Sequence, residues 1–182
     1  NDNAPIFTSS STFTAEENQS SIGTVMATDA DSDSITYSLS GTDASALSID
    51  SGSGVLVFNT APDYETKSSY SAIVTANDGK NLSDQLVVIG INNLNDNSPV
   101  FTSSSTFTAE ENQVSIGTVM ATDADSDSIT YSLSGTDASA LSIDSGSGVL
   151  VFNTAPDYET KSSYSAIITA SDGTNSTDQS VS

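Results

Sequence analysis

The apolar residues of this chain come in short runs with a period of two. Ile35, Tyr37 and Leu39 alternate with Thr36 and Ser38; Tyr70, Ala72, Val74 and Ala76 repeat the pattern, as do Val87, Ile89 and Ile91. Successive side chains of an extended strand point to opposite faces, so these runs predict half-buried β-strands. Turn formers punctuate them at Asp50-Ser51-Gly52-Ser53-Gly54, Asn77-Asp78-Gly79, Asp33-Ser34 and Asn59 to Pro62. No stretch carries a helical stripe.

The pattern occurs twice. Residues 1–88 align without gaps on residues 95–182, with ten of the 88 positions differing. The chain therefore reads as two modules, 1–94 and 95–182, joined by a linker at about 93–99. The second module is truncated, lacking counterparts of Ile89 to Leu94. Such near-identity predicts a longer tandem array, with Asn1 an internal residue of a larger parent. The differing positions fix the phase of one strand: Leu86 and Val88 become Ser180 and Ser182, while Val87 stays valine as Val181. Val74 becomes Ile168 and stays apolar. The Val87 face is the predicted core face, joined by Phe7, Tyr37 and Phe58. Roughly seven short strands per module predict an all-β fold, two tandem antiparallel Greek-key β-sandwiches.

Composition changes the picture by exclusion. Twenty-four Asp and Glu stand against three lysines, for a net charge of −21, with no Arg, His, Cys or Trp. Nucleic acid is excluded as a partner, because phosphate binding needs clustered Lys and Arg. Zinc sites, thiol and imidazole catalysis and disulfides go with the missing residue types. No apolar run approaches the roughly 18 residues of a membrane span, so direct membrane insertion is not expected. The low apolar fraction, 35%, is no sign of disorder, since the apolar residues are largely β-branched or aromatic and regularly placed.

The acids cluster in the predicted turns and strand ends: Glu16-Glu17, Asp29-Ala30-Asp31-Ser32-Asp33, Asp63-Tyr64-Glu65, Asp78, and the run Asn93-Leu94-Asn95-Asp96-Asn97. Hard oxygen ligands without nitrogen or sulfur suit Ca²⁺. In an extended segment Asp29 and Asp31 point the same way, as do Asp63 and Glu65, so each pair can converge on one ion. An EF-hand reading of Asp29, Asp31 and Asp33 fails, because the sixth loop position is Ser34 and the twelfth is Ser40.

The order Glu17-Asn18, Gly23-Thr24, Ala27-Thr28-Asp29-Ala30-Asp31, Ile49-Asp50 with Gly54, Asp63-Tyr64-Glu65, Ala76-Asn77-Asp78-Gly79 and Asn95-Asp96-Asn97-Ser98-Pro99 resembles a cadherin repeat, twice over. Near-identical copies and a cysteine-free, Ser/Thr/Asn-rich composition most resemble the cadherin-like repeats of large bacterial surface adhesins. The resemblance implies an immunoglobulin-like sandwich, an extracellular or cell-surface location and two to three Ca²⁺ shared between consecutive repeats. It assigns the lower half of that site to Glu17, Asp63 and Glu65. The linker share is Asn93, Asn95, Asp96 and Asn97, and the upper half is Asp123, Asp125 and Asp172. The family pattern has aspartate where Asn93 stands, which weakens the middle ion. One extra residue between Glu17 and Gly23 lets Glu16 compete with the favoured Glu17. Half-sites follow at the ends: Asn1, Asp2, Asn3, Asp29, Asp31 and Asp78, expected to hold one further ion, and Glu111, Asp157 and Glu159, expected to bind poorly.

The remaining acids, Asp33, Asp43 and Asp84, read as turn formers and solvating charges, and Lys67, Lys80 and Lys161 as surface charges. Tyr64, between two ligands, reads as a packing residue. Asn18, Asn81 and Asn175 begin N-glycosylation patterns, which matter only in a source that glycosylates them. Catalysis is not expected: paired carboxylates also cleave glycosides, but no aromatic cleft or tryptophan accompanies them here. Two functions remain. One is a calcium-stiffened extender whose partners are neighbouring repeats of the same chain. The other is direct adhesion, through self-association or polysaccharide.

Overall fold

The computed structural model describes residues 2–182; Asn1, one of the half-site residues, lies outside them. The chain divides into two compact units, the first ending at Leu94 and the second running from Asn95 to Ser182. Each is built from strands, with a single short 3₁₀ turn, Ala44–Ala46 or Ala138–Ala140.

The first unit holds β1 (Ile6–Phe7), β2 (Thr12–Glu16), β3 (Ser21–Thr24), β4 (Ala27–Thr28), β5 (Thr36–Ser40), β6 (Leu47–Ile49), β7 (Val55–Phe58), β8 (Ser69–Asn77) and β9 (Leu82–Asn92). One sheet has the order β2-β9-β8-β5, a second the order β3-β7-β6, and β1 pairs β4 at an edge. Among the described residues all pairings of this unit are antiparallel but one: β2 runs parallel to β9, with Ala15 opposite Ile91 and Glu16 opposite Asn92. The second unit repeats the plan with β10 (Val100–Phe101), β11 (Ser115–Thr118), β12 (Ala121–Thr122), β13 (Thr130–Ser134), β14 (Leu141–Ile143), β15 (Val149–Phe152), β16 (Ala166–Ser171) and β17 (Ser176–Val181). Its sheets are β13-β16-β17, β11-β15-β14 and β10-β12.

The strand phase read from the sequence holds. Val87, Ile89 and Ile91 are buried with Val74 and Leu56, while Leu86 is 60% exposed and Val88 40%. Ile168 is as buried as Val74, its counterpart. Tyr37 spans the core and its hydroxyl accepts the Ala27 N–H at 2.8 Å, a polar end satisfied as buried tyrosines require. Phe58 and Tyr70 meet edge-on at 4.9 Å.

Two lysines read as simple surface charges are engaged. Lys67 pairs with Asp43 and lies over the Tyr70 ring, 4.7 Å from its centre. Asp43 also accepts the Ser71 N–H at 2.8 Å. Lys161, Asp137 and Tyr164 repeat the arrangement. These clips hold the loop that follows Asp63 or Asp157 against its sheet.

Candidate metal centre

In the first unit the parallel β2–β9 pairing carries the chain to Glu17, whose N–H donates to Asn92 O at 3.3 Å. Asn18 then turns the chain with a left-handed φ of 61° and donates its N–H to Pro62 O. The turn leaves Glu17 only 1% exposed. Its Oε2 accepts the Tyr64 N–H at 2.9 Å and its Oε1 the Leu94 N–H at 2.6 Å. Glu16 faces solvent and accepts the Asn92 amide. Glu17, Asp63 and Glu65 each bring a carboxylate oxygen within 4.8 Å of the others.

The local backbone corrects one expectation. Asp63 and Glu65 do not sit on an extended strand; Lys67 donates its N–H to Asp63 O, closing a helical turn. Asp63 folds over that turn, accepting the Glu65 and Thr66 N–H groups and the Thr66 hydroxyl. Asp29 does the same, accepting the Asp31 N–H at 2.8 Å, while Ser32 adopts a φ of 64°. Side-chain-to-backbone bonds of this kind compete with strand formation. They make the carboxylates converge where strand alternation was expected to.

The other end of each unit carries a second trio. Asp29, Asp31 and Asp33 converge in the first unit, and Asp123, Asp125 and Asp127 in the second, again within 4.8 Å. Asp125 is 5% exposed. Its Oδ2 accepts the Asp96 and Asn97 N–H groups and its Oδ1 the Asn97 amide. Asp31 is held alike by Asp2 and Asn3. Asp33, assigned to solvation from sequence, and its counterpart Asp127 belong to these trios. The signal available was the third carboxylate of each Asp-x-Asp-x-Asp run.

Asp78 and Asp172 lie outside the trios. Each folds back on its own turn, Asp172 Oδ1 accepting the Thr174 and Asn175 N–H groups and Asp78 Oδ1 those of Lys80 and Asn81. Asn175, considered only as a glycosylation pattern, is an organiser: its amide donates to Asn95 Oδ1 at 2.8 Å and to Asn97 O at 3.1 Å. Asn81 likewise donates to Asn3 O. The fourth trio, Glu111, Asp157 and Glu159, is exposed at all three residues. In the first unit β9 separates the Asn3–Asn81 end from the Glu17–Leu94 end by eleven residues, roughly 35 Å.

Hydrogen bonds favour the charged form of these groups. The N–H of Asn3, then that of Asp2, lower the Asp31 pKa to about 2. The Thr66 hydroxyl and N–H hold Asp63 below the usual carboxylate value. At Asp172 burial works upward, but the N–H groups of Asn175 and Thr174 outweigh it and the pKa is lowered. A depressed folded-state pKa gives stability that is complete above the unfolded value near 3.8 and lost as pH falls through the folded one. In chelator, thermal stability is therefore expected to fall between pH 4 and pH 2. Asp31→Asn is expected to make that slope shallower; an unchanged slope in thermal melts would show that Asp31 contributes nothing to it.

The chemistry of the donor set can be tested on the oxygens left over. Asp29 Oδ2, Asp33 Oδ2 and Asp123 Oδ2 are buried yet accept no hydrogen bond. A buried carboxylate oxygen without a partner is costly, and the three carboxylates of each trio repel one another. A hard divalent cation relieves both penalties, and an all-oxygen set fits Ca²⁺.

Fold and clusters together define a class: β-sandwich modules repeated in tandem, with carboxylate clusters in their loops. The chain belongs to the cadherin family: residues 11–90 and 105–182 each match the cadherin domain. It is 35% identical over 167 residues to Cadherin-99C of Drosophila melanogaster, covering 86% of this chain and 10% of that protein. It is 35% identical over 188 residues to the mouse Cadherin EGF LAG seven-pass G-type receptor 1, covering 94% of this chain and 6% of that one. The chain thus spans a tenth or less of the length of these relatives. Among solved structures, mouse cadherin-23 EC22-24 superposes with a TM-score of 0.81 at 26% identity, over 99% of this chain and 63% of that one. Human protocadherin-24 EC1-2 superposes with 0.79 at 22%, over 100% and 94%, and bears on the fold alone. Cadherins are adhesion proteins rather than enzymes, cadherin domains bind Ca²⁺, and the extracellular domains of cadherins lie outside the cell. Among the described residues no helix is long and apolar enough to cross a membrane.

Proposed function

We propose that this chain is a calcium-stiffened extender, a non-enzymatic stretch of the extracellular stalk of a surface adhesin. The observation that carries the reading is the pair of buried, unpartnered oxygens Asp29 Oδ2 and Asp123 Oδ2, each within a carboxylate trio. In this reading Glu17, Asp63 and Glu65 of the first repeat, Asn93, Asn95, Asp96 and Asn97 of the linker, and Asp123, Asp125 and Asp172 of the second repeat share two to three Ca²⁺. Seven carboxylates gather in that set, and three divalent ions offset six of their charges. Asn93 supplies a neutral oxygen to the middle ion. One further ion belongs to the Asp2, Asn3, Asp29, Asp31 and Asp78 half-site.

A bacterial source is part of the proposal. The relatives given above are animal proteins, and support for it comes from the near-identity of the copies and the Ser/Thr/Asn-rich, cysteine-free composition. Direct adhesion, by self-association or polysaccharide binding, is the second reading. It is favoured by Leu82, Leu86 and Val88, exposed along one face of β9 and replaced by serine in the second repeat.

Calcium sites of extracellular modules have Kd values around 0.1–1 mM, so 10 mM Ca²⁺ adds roughly 1.5–3 kcal/mol per ion by mass action. The melting temperature is expected to rise by several degrees over that in chelator, and no rise would defeat the metal reading. An extender stays monomeric in ultracentrifugation with calcium and ignores a glycan array; self-association or sugar binding would favour the adhesive reading.

A further inference from the structure

A side-chain nitrogen of the second unit stands where four oxygens point together. Nδ2 of Asn175 lies 2.8 Å from Asn95 Oδ1, 3.1 Å from Asn97 O, and 3.4 Å from both Asn95 O and Asp172 Oδ2. A primary amide nitrogen carries two protons. Four acceptors around them leave the two longer contacts outside the roughly 2.7–3.2 Å of an ordinary hydrogen bond. The focus therefore gathers more oxygen than the amide can satisfy. Every one of those oxygens belongs to Asn95, Asn97 or Asp172.

The turn between β16 and β17 fixes the amide in that place. Asp172 Oδ1 accepts the Thr174 and Asn175 N–H groups at 2.7 and 2.6 Å. Asn175 O accepts the Asp172 N–H at 3.2 Å and the Ser171 hydroxyl at 3.1 Å. With the turn closed on itself, the Asn175 side chain reaches out of it to the linker. The first unit makes the same contact, Asn81 Nδ2 donating to Asn3 O at 2.9 Å and to Asp78 Oδ2 at 3.2 Å. It does so although the neighbours of the asparagine differ, Lys80 and Leu82 against Thr174 and Ser176.

Calcium takes about six to eight oxygens at roughly 2.3–2.6 Å, closer than Nδ2 stands to any of these four. An ion bonded to Asn95 Oδ1, Asn97 O and Asp172 Oδ2 takes the lone pairs that the amide protons hold. It would also face those protons, so ion and amide exclude each other. We infer that Asn175 sets the affinity of the second repeat for its ion: its amide holds the ligands in the ion's place and must leave before a divalent cation binds. This role rests on the calcium reading of Asn95, Asn97 and Asp172 proposed above. The linker is tied to the hairpin in both states, and binding exchanges a weak internal cation mimic for the ion itself.

The test titrates the ¹⁵N-labelled 182-residue protein from chelator to saturating Ca²⁺ by NMR. The side-chain N–H pair of Asn175 is assigned by its disappearance in Asn175→Ala. That pair is expected to shift in step with the backbone signals of Asn95 and Asn97, and to exchange with water roughly tenfold faster once calcium is bound. Asn175→Ala, freed of the competitor, is expected to bind calcium roughly threefold tighter or more, read at the Asp123 and Asp125 signals. The midpoint read at Asp29 and Asp31 should not move, since Asn81 is intact there. Equal or weaker binding by Asn175→Ala would make the amide a support of the ligands and overturn the assignment. An Asn175 pair that stays still while Asp123 and Asp125 respond would overturn it too. Silence at Asp123 and Asp125 as well would defeat the calcium reading itself, and the role of Asn175 with it.

Discussion

Gly54→Ala is expected to unfold or severely destabilise the first unit, by at least about 3 kcal/mol. Gly54 has a φ of +72°, and a Cβ built there would sit 2.1 Å from Val25 O and 3.3 Å from the Tyr37 ring. Val25 is fully buried, donates its N–H back to Gly54 O at 2.9 Å, and cannot retreat without opening the core. The obstacle is backbone rather than a flexible side chain. Gly148 meets Val119 O at 2.2 Å in the same way, so Gly148→Ala should act on the second unit alone. Gly79 is the control: its φ is +92° but a Cβ meets nothing within 4 Å, leaving only the left-handed penalty of roughly 1–2 kcal/mol. Segment-resolved amide exchange reads the three variants apart. Equal effects of Gly54→Ala and Gly79→Ala would show that the close approach to Val25 is not what the glycine is for.

The second large effect is expected at Glu17. Its two oxygens accept the Tyr64 and Leu94 N–H groups in a site 1% exposed to solvent. Glu17→Ala leaves two part-buried N–H donors without their partner, at up to about 1–3 kcal/mol each. It also removes a proposed calcium ligand, so stability without calcium and the gain from calcium should both fall. Glu111 has the same sequence context but is exposed and holds one longer hydrogen bond. Glu111→Ala is expected to cost less than about 1 kcal/mol. Melting in chelator distinguishes them, and equal losses would mean that the burial of Glu17 has no energetic weight.

Much of this was legible in the sequence because it is local. The period of two set the strand faces, and the replacement of Leu86 and Val88 by serine beside an unchanged Val87 marked which face is core. The acidic clusters were legible as groups because each occupies one turn. What escaped is non-local or is decided by side chains bonding to their own backbone. The parallel pairing of β2 with β9 joins residues some 76 positions apart with no turn signal between them, and the burial of Glu17 depends on it. The helical turn at Asp63 and the Asp29 turn arise from carboxylates accepting nearby N–H groups, which alternation does not express. Asp33 and Asp127 were signalled only by being the third carboxylate of an Asp-x-Asp-x-Asp run, whereas the role of Asn175 lay in contacts between a hairpin and the linker, which no local pattern expresses.

In the proposed reading, Ca²⁺ shared at the linker fixes one repeat against the next. Small-angle scattering of the same sample in 10 mM Ca²⁺ and then in chelator tests it most directly. A single well-defined maximum dimension is expected with calcium, and a broader distance distribution, as of a flexing pair, once the ion is removed. Superimposable curves in the two conditions would contradict it.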